Sequence, residues 1–316
     1  DTSNNWNASQ NFSLTTTDTG LCQVMINNDT IPYTITQSNK YYCLAQNIGK
    51  GGVNGVNFTS GVQNSTLDCR GYNIASNSSS STRGVYATNA VNLTIKNCII
   101  NNFSDDIYLD NTNSSLISNN TVFNSTGSTG SGIYIQYSHY NNILNNTAYG
   151  NQYTDIRLYS SNNNNVTNNN VSSPGVPTGA TANILLNRGS DNNTVSYNKV
   201  SEGSGWGCID IYPGSGGSDS SYYNVISHND ISNCDYGIVL GDDSSTVTVY
   251  NTVIENNTIT NSNYGIGLRG VKNNTVIKTN ISGYILRGIR FWSSFQNATG
   301  NLIIDSSISG TGSYDI

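Results

Sequence analysis

The sequence predicts an all-β fold, a single-stranded right-handed parallel β-helix (solenoid) of about ten coils with an N-terminal cap, on three observations. A short apolar signature recurs every 22 to 29 residues, two stretches of alternating apolar residues follow each copy, and an Asn keeps step with the last of them. Self-similarity at this period marks a solenoid, in which each repeat buries its apolar face only against its neighbours.

The signature is Gly/Asp/Asn-Ile-x-Leu/Ile. Gly84-Val85-Tyr86-Ala87, Asp106-Ile107-Tyr108-Leu109, Gly132-Ile133-Tyr134-Ile135 and Asp155-Ile156-Arg157-Leu158 open a series that runs to Gly288-Ile289-Arg290-Phe291. Two shorter strands follow in each coil. The second is expected to bury Ile95, Leu116, Ile143, Val166, Val195, Val225, Val253, Val276 and Leu302, and the third Ile99, Val122, Ala148, Val171, Val200, Ile231, Ile259, Ile281 and Ile308. Period-2 alternation with no helix-length apolar pattern between these segments reads as three strands per turn.

Asn97, Asn120, Asn146, Asn169, Asn198, Asn229 and Asn257, with Thr279 in the next coil, stand two residues before the expected core position of the third strand. Stacked ~4.8 Å apart, such amides can bond to one another and to the turn backbone. Gly84, Gly132, Gly237, Gly265 and Gly288 precede the first strand, where a tight turn would often need positive φ.

Organisation along the chain follows from where the repeat starts. Residues 1–20 have no strand period and read as a flexible polar lead-in, residues 21–62 have strand character without the repeat and read as an N-terminal cap segment, and residues 63–316 are repeats. Ser313-Tyr314-Asp315-Ile316 resembles the opening of one more coil, so the helix is expected to continue or to be completed by another subunit, as in head-to-tail stacking of the chain on itself.

Charged residues make up 10% of the 316, with two Glu and a net charge of −6. A chain with no basic stripe is not expected to bind nucleic acid. No apolar run approaches the ~20 residues of a transmembrane helix, so the chain is expected neither to span a membrane nor to retain a signal peptide.

Six cysteines, an even count, point to an oxidising compartment. Aligning Asn64-Ser65-Thr66-Leu67 with Asn92-Leu93-Thr94-Ile95 sets Cys69 and Cys98 one coil apart; Cys208 and Cys234 are similarly spaced, and Cys22 and Cys43 flank the first irregular segment. Three disulfides are expected in those pairs. With no Cys-x-x-Cys and two His in the chain, no metal site and no cofactor is expected. Among many Asn-x-Ser/Thr triplets, Asn119, Asn145 and Asn256 lie just before a ladder Asn on an edge expected to face solvent, and Asn273 and Asn297 are further candidates for N-glycans.

Thr66-Leu67-Asp68-Cys69-Arg70-Gly71-Tyr72-Asn73-Ile74, Asn92-Leu93-Thr94-Ile95-Lys96-Asn97-Cys98 and the later Asn-Asn-Thr-Val/Ile units carry a resemblance to secreted parallel β-helix repeat proteins, the pectate-lyase-like superfamily with NosD-type repeats. The resemblance covers most of the chain and implies the fold. It does not select a function, because that fold hosts lyases, hydrolases, adhesins and structural rods.

Residues between the core positions of the first strand form outward columns. Tyr108, Asp110, Tyr134, Gln136, Arg157, Tyr159, Asp210 and Tyr212 make a candidate glycan-contacting face, since pyranose rings stack on aromatic rings while hydroxyls take directional hydrogen bonds. Tyr at these positions would equally serve strand propensity and stacking between rungs. An enzyme would need paired carboxylates. Asp106 and Asp155 occupy equivalent positions two rungs apart, roughly 9.6 Å, near the upper limit for an inverting glycosidase, and Asp210 and Arg157 are the other catalytic candidates. The Asn-Thr-Asp, Gly-His-Gly and Arg-Ile-Lys motifs of polygalacturonase-like enzymes are absent. The leading expectation is a noncatalytic, secreted, N-glycosylated structural or adhesive component of a cell surface or extracellular filament; the alternative is a polysaccharide lyase, glycoside hydrolase or carbohydrate-binding module working through the Tyr/Arg/Asp face.

Overall fold

The computed structural model describes residues 22–76, 81–127, 130–173, 182–203, 205–214, 219–241, 248–292 and 297–312. The expected lead-in at 1–20 and the expected extra coil at 313–316 lie outside these residues. Three long parallel sheets wrap around one core, with 11 strands in the first, 12 in the second and 11 in the third. Every coil supplies one strand to each sheet, as Asp105–Asp110, Leu116–Ser118 and Thr121–Phe123 do. Pairing stays in register from rung to rung, so Ile107, Ile133, Ile156, Ile184, Ile209, Ile238, Ile266 and Ile289 stack as one fully buried column. No α-helix occurs among the described residues.

In the three-residue strands the middle side chain faces the core. The buried residues are therefore Ile117, Ile226 and Ile254, where Leu116, Val225 and Val253 were expected, and Ile100, where Ile99 was. Leu302 is likewise exposed while Ile303 packs on the core. Each error falls on an apolar doublet, where period-2 reading has two equal phases and one slip exchanges the faces.

The same slip moves the first member of the Asn ladder. Cys98 holds that place, with its N–H on Asn120 Oδ1 at 3.0 Å. Asn97 lies in the corner at φ 56° and donates to Asp68. From Asn120 to Asn257 the ladder is continuous and saturated. Asn169 shows the pattern: its Oδ1 accepts the N–H (2.8 Å) and Nδ2 (3.0 Å) of Asn146, and its Nδ2 donates to Asn198 Oδ1 (3.0 Å) and the Ile143 carbonyl (2.9 Å). A second ladder, Asn141, Asn164, Asn193 and Asn224, repeats this at the corner between the first and second sheets. Beside it Ser138, Ser161 and Ser190 take backbone N–H groups from the rung before.

The glycines of the signature have no positive φ. They lie within the first strands, where space is limiting: a Cβ on Gly237 would stand 2.5 Å from Ile259 Cγ2 and 2.7 Å from the Gly265 carbonyl oxygen. Positive φ occurs instead at the corners, and among the described non-glycine residues Asn holds most of these places, as its short amide permits.

Residues 22–62, within the expected cap segment, pair in register with the coils that follow. Val24–Ile26 pairs with Tyr41–Leu44, which pairs with Thr66–Asp68, and Tyr33–Ile35 pairs with Val56–Phe58 ahead of Arg83–Thr88. They form the first two rungs, with Ile26, Ile35, Leu44, Val56 and Phe58 in the common core. All three expected disulfides form, with Cα separations of 5.7 Å (Cys22–Cys43), 4.7 Å (Cys69–Cys98) and 5.9 Å (Cys208–Cys234).

Asn198→Ala removes the acceptor of two donors on Asn169 and two donors of its own. With each stranded buried polar group costing ~1–3 kcal/mol, the variant is expected to lose about 2–4 kcal/mol of stability, read as a lower urea midpoint. The exposed corner variant Asn168→Gly should change it by under about 0.5 kcal/mol.

Candidate functional site

Each first strand of the regular coils has six residues. Pairing runs Asp105↔Arg83 and then Ile107↔Val85, passing over Asp106, and Asp106 and Ile107 are both fully buried. The second, third and fifth side chains thus enter the cylinder, and the first, fourth and sixth lie on the outer face of the first sheet.

On that face the expected columns hold: Tyr108 pairs with Tyr134, Tyr134 with Arg157, and Asp110, Gln136, Tyr159, Asn187 and Tyr212 follow one another in register. Tyr108 and Tyr134 stack at 4.7 Å with 11° between planes, and Tyr159 meets the edge of Tyr134 at 6.4 Å. Tyr108 donates its hydroxyl hydrogen to Gln136 Oε1 at 2.8 Å. The Arg157 guanidinium lies 4.7 Å from the Tyr134 ring, 5.0 Å from Tyr153 and 5.2 Å from Tyr159. Arg83 lies 4.3 Å from Tyr108 and 4.8 Å from Tyr86. These are cation–π distances, at which a guanidinium is attracted to the ring face.

The sequence does not place Arg83, Asp105 and Tyr153 on this face. Arg83 and Asp105 occupy the first strand position, which strict alternation would send inward; the bend after the second residue sends it out. The signal was present in Arg83-Gly84 and Asp105-Asp106, a polar residue before each signature. The face is also less open than expected. Tyr134, Gln136, Tyr159 and Tyr212 are half-buried, whereas Tyr108, Arg157 and Asp210 are 7%, 8% and 4% exposed.

Asp106 and Asp155 do stand in equivalent positions two rungs apart, but both are fully buried inside the cylinder. Asp155 accepts hydrogen bonds from Ser173 Oγ (2.6 Å), Asn151 Nδ2 (2.8 Å) and Asn183 Nδ2 (3.2 Å). Asp106 Oδ2 has no hydrogen-bond partner among the described residues. A substrate outside cannot reach either carboxyl, so the geometry gives no inverting pair. Burial pushes Asp155 up to about 7 and Asp106 well above the carboxylate range, where each is stable as a neutral acid. Asp105 on the face is pushed up by burial to about 6, against the pull of the Ser131 N–H, Arg83 and Arg157. Among the described residues no group of three or more His, Cys, Asp or Glu is placed to hold a metal ion.

The sequon residues Asn119, Asn145, Asn256, Asn273 and Asn297 are all exposed. The first three sit at positive φ in the corner between the second and third sheets, opposite the outer face of the first.

The chain belongs to the family described as right handed beta helix region, whose model matches residues 22–200 and again 128–254. Three solved structures share the fold. The A-module of the mannuronan C-5 epimerase AlgE6 of Azotobacter vinelandii is 14% identical, with a TM-score of 0.60 over 88% of this chain and 83% of that one. The Dettilon tailspike protein gp208 is 17% identical, with a TM-score of 0.60 over 92% of this chain and 57% of the tailspike. PfbA, a surface adhesin of Streptococcus pneumoniae, is 13% identical, with a TM-score of 0.56 over 86% of this chain and 80% of the adhesin. Comparison with curated protein sequences gives no match. At these identities the likeness is one of fold; the three disulfides are consistent with an extracellular location.

A carboxyl whose folded pKa is raised binds a proton that the unfolded chain releases near its ordinary value of ~4, so its stabilising effect is complete below about pH 4 and is lost as pH rises towards the folded value. Asp105, Asp106 and Asp155 all act in this sense; His139, whose pKa burial lowers, and Asp68, whose burial is outweighed by hydrogen bonds from Asn97, Tyr41 and the Arg70 N–H that lower its pKa, oppose them. Thermal unfolding is therefore expected at higher temperature at pH 4 than at pH 8. Asp155→Asn should flatten that dependence, and an unchanged slope in the variant would refute the assignment.

Proposed function

We propose that the protein is an extracellular, noncatalytic adhesive β-helix that binds glycan on the outer face of its first sheet. One observation carries this reading: Tyr108, Tyr134 and Tyr159, with the Arg83 and Arg157 guanidinium groups at cation–π distance from their rings, form an aromatic and cationic surface on the outer face of the first sheet. Sugars present an apolar ring face and a polar rim, and this surface offers a partner for each. The noncatalytic part of the reading rests on the position of Asp106 and Asp155 inside the cylinder and the near-complete cover of Asp210.

N-glycans on Asn119, Asn145 or Asn256 would project from the opposite corner and leave the binding face open. Head-to-tail stacking is not carried into this reading, because the last rung is a free surface only if the chain ends where this sequence does.

Screening the purified protein against immobilised polysaccharides is expected to find binding that Tyr134→Ala weakens at least about tenfold, with no release of shortened or unsaturated product. Binding that survives Tyr134→Ala and Arg157→Ala unchanged would remove the face from the reading, and measurable turnover would replace adhesion by catalysis.

A further inference from the structure

The C-terminal end of the same outer face carries a second aromatic and guanidinium cluster that shares no residue with the first. Tyr236 stacks on Tyr264 at 4.3 Å with 10° between planes, and Trp292 lies 5.4 Å from Tyr236. The Arg290 guanidinium is 4.7 Å from the Trp292 ring and 5.0 Å from Tyr264, and it donates to the Tyr236 hydroxyl oxygen. Arg269 lies 5.0 Å from Trp206 and 5.7 Å from Trp292. Trp206 is 53% exposed.

The strand backbone is shaped to seat these rings. Gly267 occupies the outward place filled by Val239 on one neighbouring strand and Arg290 on the other. A Cβ there would stand 2.7 Å from Trp292 Cη2 and 3.0 Å from Tyr236 Cδ1, so the rings rest on bare backbone. Glycine in a strand interior costs roughly 0.5–1 kcal/mol relative to alanine, and at this position it makes room for the aromatic cluster.

The two clusters are distinct. Tyr134 and Tyr264 are five rungs apart along the first sheet, ~24 Å at the ~4.8 Å spacing of paired strands. Between them the fourth-position side chains Leu185, Asp210 and Val239 are 0%, 4% and 2% exposed, so that column is covered between the two clusters.

We propose that this C-terminal cluster is a second glycan site, selective for sugars carrying an anionic substituent, and that one extended acidic polysaccharide lying along the helix axis engages both clusters. The proposal rests on the glycan-binding reading and adds the ligand class and a second point of attachment. Acidic sugars are favoured because Arg290 makes no ion pair among the described residues and is held by its contacts with the Tyr264 and Trp292 rings and the Tyr236 hydroxyl, which position it without neutralising it. A guanidinium so placed meets a carboxylate or sulfate with charge-assisted hydrogen bonds while Trp206 and Trp292 take the sugar faces. Two weak sites joined by one ligand gain affinity through effective concentration, commonly by ~10²–10⁴, with no new contact.

The test is titration calorimetry at low salt with galacturonate trimer, long polygalacturonate, dextran sulfate and a neutral cello-oligosaccharide. The wild-type protein is compared with Arg290→Gln, Trp206→Ala and Tyr134→Ala, each checked for an unchanged circular dichroism spectrum. Long polygalacturonate or dextran sulfate is expected to bind at least ~100-fold more tightly than the trimer. Whichever of the two binds identifies the substituent as carboxylate or sulfate. Arg290→Gln and Trp206→Ala should each weaken the polymer at least about tenfold, and the neutral oligosaccharide should not distinguish Arg290→Gln from wild type.

If Tyr134→Ala weakens binding but Arg290→Gln and Trp206→Ala do not, the second site is refuted and the first stands. Loss of the neutral sugar equal to that of the acidic one refutes the anionic class. If no ligand binds and no variant differs, this inference fails together with the glycan-binding reading.

Discussion

The amide-to-amide ladder from Asn120 to Asn257 is the interaction on which the regular part of this molecule depends. A β-helix must turn its backbone sharply between strands, and at those turns N–H groups point into a dry interior where an unsatisfied donor costs more than an ordinary hydrogen bond returns. Asn solves this in two directions at once. Its Oδ1 takes the backbone N–H of the rung on one side, and its Nδ2 reaches both the next Asn and the carbonyl of Ile95, Ile117, Ile143, Val166 or Val195. All four hydrogen-bonding places on the side chain are used, and each residue needs its neighbour to have the same identity. The identity of one corner is thereby transmitted along the axis, and with it the register of all three sheets.

This arrangement explains a composition that is otherwise odd for a folded protein. Asn is abundant because it has two unrelated tasks. Buried Asn such as Asn169 satisfies turns, while exposed Asn such as Asn119 and Asn168 bends the chain at positive φ. The two kinds often stand side by side, as in Asn119-Asn120 and Asn145-Asn146, and the glycosylation triplets arise from that adjacency. With the core of aliphatic columns and the corners of Asn both committed to the scaffold, variation is left to the outward residues. There Tyr, Trp and Arg collect on the first sheet, whose six-residue strands offer the widest outer face.

Coil number, strand order and disulfide pairing were legible in the sequence because each depends on period, and period survives small errors in phase. Phase itself was legible only where one neighbour was polar. Val122 between Thr121 and Phe123 was placed correctly, whereas the doublets Ile99-Ile100, Leu116-Ile117, Val225-Ile226 and Val253-Ile254 were each read one residue early. The second Asn ladder at Asn141, Asn164, Asn193 and Asn224 stands at a corner where the first three have Asn neighbours as well, so the sequence does not mark which amide turns inward. The outer face was legible at its fourth and sixth strand positions, but the bend after Gly84 or Asp106 is a tertiary feature. It hid Arg83 and Asp105 from alternation and made Asp106 and Asp155 look like surface carboxylates.

That misplacement changes the electrostatic argument as well. The formal charge of −6 counts Asp106 and Asp155 as anions, yet both sit in the interior, where burial favours their neutral forms. A net charge assigned from composition therefore overstates the negative charge presented to a ligand. On the first sheet the imbalance is local and opposite in sign, since Arg83, Arg157, Arg269 and Arg290 lie against aromatic rings, whereas of the carboxyls on the same face Asp105 and Asp210 are nearly covered and Asp110 is half-buried. Screening in salt limits the reach of the chain's overall charge to ~8–10 Å, so a bound sugar responds to the guanidinium beside it rather than to the total. An acidic protein can in this way offer a face suited to an acidic polysaccharide, provided the carboxyls near that face are buried or covered, as Asp106, Asp155, Asp105 and Asp210 are, and its guanidinium groups lie against the rings of that face.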